Sequence, residues 1–112
     1  MNEFVLIFRS NGDPHANPSP EQIQERMKWM NTVTAQNKLA DSGKRLSGSH
    51  ATLVESGKKV TAVDDLTTHS YVNGYIVVKT ATIEEAIELA KTNPILEMGG
   101  SIEVRAVIPP VR

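Results

Sequence analysis

The stretch "EFVLIF", Glu3–Phe8, decides how the rest of the chain is read. It is short, β-branched and aromatic, and it runs into the breakers Asn11-Gly12-Asp13-Pro14, so it predicts a strand. Its apolar residues fill both alternating sets, Phe4/Leu6/Phe8 and Val5/Ile7. A strand apolar on both sides is covered on both sides. A second segment of the same kind, "GYIVVKT", lies at Gly74–Thr80. Two such strands belong at the centre of a sheet.

The segments around them supply the other elements. In "NPSPEQIQERMKWM", Ser19 is placed as an N-cap, Pro20 suits the first helical position and Gln22 completes a capping box. Ile23, Met27, Met30 and Thr34 recur at helical spacing, with Trp29 and Val33 widening the stripe. This helix is expected to run to about Asp41 and to stop at Ser42-Gly43. "KRLSGSH" reads as a polar edge strand, "ATLVESGKKVTAV" as a hairpin around Ser56-Gly57-Lys58, and Asp64 to Val72 as a connecting loop. "TIEEAIELAKTNP" is a second helix with a capping box from Thr82 to Glu85 and a stripe of Ile83, Ala86, Ile87 and Ala90. Pro94 stops it. "SIEVRAV" then alternates, with Ile102, Val104 and Ala106 on one side and Ser101, Glu103 and Arg105 on the other.

The resulting order is β-α-β-(hairpin)-β-α-β, the split βαβ or ferredoxin-like pattern of an α+β protein. That topology puts "VLIF" and "YIVV" in the sheet centre and the polar "KRLSGSH" at an edge. With both helices on one face, Phe4, Leu6, Phe8, Ile76, Val78, Ile102 and Val104 are expected beneath them. The opposite face carries Val5, Ile7, Tyr75 and Val77, surrounded by Arg9, Lys79, Glu103 and Arg105. Four large apolar side chains on an open sheet mark an interface, and a second copy of the chain is the expected occupant. The alternative is that the hairpin folds back over that face.

At 112 residues the chain is expected to be one domain, 1–112. Twelve Lys+Arg against thirteen Asp+Glu give no basic footprint for nucleic acid. The absence of cysteine excludes disulfides, thiolate nucleophiles and cysteine-based zinc sites. The apolar run Phe4–Phe8 is too short for a membrane span or a signal segment, so a cytoplasmic protein is expected.

The segments "SPEQIQERMKWM", "VNGYIVVK", "TIEEAIELAK" and "NPILEMGGSIEVRAV" resemble the YCII-related, or DGPF-domain, family of small bacterial proteins. The resemblance covers nearly the whole chain and is most specific in the C-terminal block, where Pro94, an acidic residue, Gly99-Gly100 and "EVR" follow one another. It implies a dimeric α+β barrel of ferredoxin-like halves with a cleft that is a candidate active site. Two family marks are missing. The Asp-Gly-Pro-Phe signature would fall at Ala62-Val63-Asp64-Asp65, and part of the family pairs an aspartate with a histidine on the first helix. No histidine lies between Ser19 and Asp41, and Asn93 stands before Pro94 where an aspartate would be attractive.

The three histidines are His15 in a turn-rich loop, His50 at the start of the hairpin and His69 after Asp64-Asp65. A carboxylate beside an imidazole fixes its tautomer and raises its basicity, so Asp64 or Asp65 with His69 or His50 is the candidate catalytic pair. The same groups at loop spacing make no metal signature, and neither a metal nor a cofactor is expected. For ligand binding the candidates are Arg9, Tyr75, Glu97 and Arg105: arginine offers a planar fork to a carboxylate, and tyrosine an aromatic wall with a polar tip. Gly99-Gly100 joins a helix to a strand, the reverse of a phosphate-binding loop. The leading expectation is a homodimeric small-molecule-binding module without the family's catalytic pair. A lyase- or hydrolase-like enzyme using the histidine–aspartate pair and a regulatory interaction module are the alternatives.

Overall fold

The computed structural model describes residues 1–11, 18–47, 51–62 and 71–110. The elements are β1 (Asn2–Ser10), α1 (Pro20–Ala35), β2 (Leu39–Arg45), β3 (Thr52–Glu55), β4 (Lys59–Ala62), β5 (Tyr71–Thr80), α2 (Ile83–Lys91) and β6 (Ser101–Ala106). Four strands form an antiparallel sheet in the order β2-β5-β1-β6, and β3 pairs with β4 in a separate two-stranded sheet. The two strands apolar on both sides, β1 and β5, are the central ones. This α+β arrangement is compatible with the ferredoxin-like pattern.

Alternation on β1 and β5 divides the sheet. Phe4, Leu6, Ile76 and Val78 enter one core with Trp29 and Val33 of α1 and Ala86, Leu89 and Ala90 of α2. Phe8, Met30, Leu39, Ile102 and Val104 pack around it. Burying a side chain such as Leu6 or Val78, both without exposed surface, contributes about 1.5–3 kcal/mol.

α1 starts as its sequence requires. Ser19 Oγ accepts from the Gln22 N–H at 3.1 Å, and Gln22 Oε1 accepts from the Ser19 N–H at 2.9 Å. It stops six residues earlier than Asp41, because Asn37 takes a left-handed conformation with φ 57°. The Lys38 N–H returns to the Val33 carbonyl at 3.2 Å, closing the helix in the manner of a Schellman cap. The chain therefore enters β2 at Leu39, earlier than "KRLSGSH". Gly43 is no helix stop but an irregularity inside β2, with φ 66° and its N–H on Asp41 Oδ1 at 2.7 Å.

Both helices are turned from the expected stripe. On α1, Trp29 and Val33 are buried and Gln22, Arg26 and Met30 half-buried, whereas Ile23, Met27 and Thr34 are exposed. The indole is the largest apolar group on the helix, and pointing it inward also satisfies its N–H: Nε1 donates to Thr92 Oγ1 at 2.8 Å and to the Leu89 carbonyl at 3.2 Å. On α2 the buried set is Ala86, Leu89 and Ala90, with Ile83 and Ile87 more than a third exposed. The alanines face the sheet and allow close approach, leaving the isoleucines at the flanks. Thr82 Oγ caps α2 by accepting from the Glu85 N–H at 3.3 Å, but Glu85 reaches back to the Ala81 N–H rather than completing the box.

After α2, Asn93 is buried and its Oδ1 accepts from the Ile95 N–H at 2.9 Å, opening a 3-10 turn at Pro94–Met98. Gly99 ends that turn with φ 81°. At Gly100 a Cβ would lie 2.6 Å from Ile95 Cγ1 and 2.8 Å from the Arg9 carbonyl. The glycine pair is thus required by the turn into β6.

Candidate functional site

The face of the sheet away from the helices is organised by strand register. Directly opposite residues in antiparallel strands share a face. One row across it is Tyr75–Ile7–Glu103, the next is Val77–Val5–Arg105, and Arg9 lies between Val72 and Ser101 at one end. Glu3 and Lys79 pair at the other end, and Lys44 stands opposite Tyr75. Val5, Ile7, Tyr75 and Val77 take no part in the helix-side core and are half-exposed. The result is an apolar centre rimmed by charges of both signs.

Of the expected ligand-binding residues, three share this face. Arg9 and Tyr75 are half-buried and Arg105 is exposed. A bulge between Phe8 and Arg9 leaves Asn73 without an opposite residue on β1. The Asn73 amide donates instead to Ser10 Oγ, while its carbonyl accepts from the Leu46 N–H at 2.8 Å. These bonds hold the three strands together beside Arg9. Arg105 is paired with Glu103 on its own strand, Nη1 to Oε2 at 3.5 Å, in an exposed ion pair of little energetic worth.

Glu97 is not brought to that face. It lies in the 3-10 turn after α2 and lines a groove of about 630 Å³ between the helices. Trp29, Val33 and Leu89 also line that groove, together with Glu25, Glu84, Glu85 and Glu88. The groove depends on how the two helices lie beside each other, which the periodicity within either helix does not give. The candidate catalytic residues His50, Asp64, Asp65 and His69, like His15, lie outside the described residues. Among the described residues no three metal-ligating side chains cluster, and no helix is long and apolar enough to cross a membrane.

An antiparallel four-stranded sheet with helices on one side and a charge-rimmed apolar face on the other defines a class of α+β proteins, not an individual one. The model of the YCII-related domain matches residues 4–110, nearly the whole chain, and the protein belongs to that family. A search of curated proteins finds no match.

Proposed function

We propose that the protein acts as a homodimer in which two open sheet faces meet as a dimeric α+β barrel, with β3 and β4 as a hairpin inserted between β2 and β5. The cleft left between the sheets takes a small anionic or aromatic molecule. Arg9 and Arg105 supply donors to its anionic group and Tyr75 an aromatic wall. The module binds without the family's histidine–aspartate pair, since α1 carries no histidine.

The observation that carries this reading is the half-exposed set Val5, Ile7, Tyr75 and Val77 in adjoining rows at the centre of the sheet. Among the described hairpin side chains, Leu53, Val54 and Val60 are exposed rather than packed onto them. A second copy removes both kinds of apolar surface from water at once.

The ligand test is a thermal-shift titration with benzoate, an anionic aromatic probe. Benzoate is expected to raise the Tm, and Arg105→Ala to abolish that rise while leaving the ligand-free Tm almost unchanged, because the Glu103 pair is exposed. An unresponsive wild-type protein, or an undiminished response in Arg105→Ala, would count against the cleft.

A further inference from the structure

We infer that Arg26 of α1 and Arg45 of β2 together form an anion site on the helix side of the sheet, suited to the dianionic phosphate group of a small molecule. The register places the site. The end row of the helix-side layer runs Ile102, Phe8, Gly74 and Arg45, one residue from each strand of the sheet. Phe8 and Ile102 pack against the core, Gly74 adds no side chain, and Arg45 ends the row with a charge. The Phe8 ring meets Trp29 edge-on, with centroids 6.4 Å apart. Arg26 lies one helical turn before Trp29 on the inward-turned side of α1, and it is half-buried.

Among the described residues neither guanidinium has an acid partner. The ion pairs among the described residues are Lys59–Glu55, Lys91–Glu88 and Arg105–Glu103. The helix neighbours of Arg26 at three and four residues are Gln22, Ile23, Trp29 and Met30, none of them acidic. Burial first, and the charge of Arg45 second, lower the Arg26 pKa below its ordinary value, so the two cations feel each other. Arginine nonetheless stays protonated at neutral pH. The corner therefore holds two like charges, one of them partly desolvated, that nothing described neutralises. A monocarboxylate would cancel one of the two charges. A phosphate group cancels both and offers oxygens to two planar forks at once. This site lies on the sheet face opposite Arg9, Tyr75 and Arg105 and is independent of the cleft proposed above.

The test is titration of the full-length protein with inorganic phosphate against chloride at fixed ionic strength, read by calorimetry and by Tm. Phosphate is expected to bind and to raise the Tm. Arg45→Gln and Arg26→Gln are each expected to weaken binding about tenfold or more, as loss of a charge-assisted contact implies. Lys44→Gln, on the opposite face, is expected to keep the full response, which separates a site from general salting effects. Without phosphate, Arg45→Gln should melt no lower than the parent, because it relieves the repulsion on Arg26. Absent binding, an equal response in Arg45→Gln, an equal loss in Lys44→Gln, or a fall in the phosphate-free Tm of Arg45→Gln would each overturn the site.

Discussion

Two glycines with similar backbone angles separate strain from space at the residue scale. Gly43 and Gly57 have φ values of 66° and 79°. A Cβ on Gly43 would lie 1.7 Å from the Tyr75 carbonyl oxygen, whereas one on Gly57 meets nothing within 4 Å. Gly57→Ala is expected to cost about 1–2 kcal/mol from left-handed backbone alone. Gly43→Ala must also push β2 away from β5, and a loss of about 3 kcal/mol or more is expected. Urea midpoints of the two variants check the ordering; equal losses would mean that β2 yields freely. Leu6→Ala, at a position with no exposed surface, is expected to lose about 2–5 kcal/mol.

At the scale of elements, the start of α1 was legible and its end was not. Ser19, Pro20 and Gln22 form a local signal that works through bonds within one turn. Ser19→Ala should therefore cost about 1 kcal/mol in chemical unfolding. The end depends on which of several polar residues enters the left-handed region, and the chain uses Asn37 rather than the expected Ser42-Gly43. Asn37→Gly is expected to be neutral or to stabilise by about 1 kcal/mol, since glycine removes the steric cost of that conformation. A clear destabilisation would show that the Asn37 side chain matters beyond its backbone. The stripes were misjudged for a related reason. Periodicity gives the spacing of apolar residues, but the direction a helix turns depends on what it meets. Trp29 finds acceptors at Leu89 and Thr92, sixty and more residues away.

The whole molecule is where the open sheet face has its consequence. A two-stranded hairpin is marginal alone in water, and β3–β4 exposes Leu53, Val54 and Val60. If the partner copy covers both the sheet face and the hairpin, Ile7→Lys should disrupt them together. Light scattering should report the wild-type protein at twice the 12.3 kDa chain mass and Ile7→Lys at that mass. Hydrogen exchange at Thr52–Ala62 should accelerate in the variant while β1 and β5 stay protected. A wild-type monomer at micromolar concentration would remove the basis for the cleft.

The sequence by itself determined the order of elements, the central place of β1 and β5, and the residues that the sheet contributes to the helix-side core, because alternation and local caps act over a few residues. It also carried the family's C-terminal block, whose Asn93, Gly99 and Gly100 act through the turn into β6. Only the tertiary structure decided the turn of the two helices, the groove at Glu97 and the placing of Arg26 and Arg45 on the helix side of the sheet. Each of these depends on which distant surfaces come together, and periodicity within one segment holds no information about the segment packed against it.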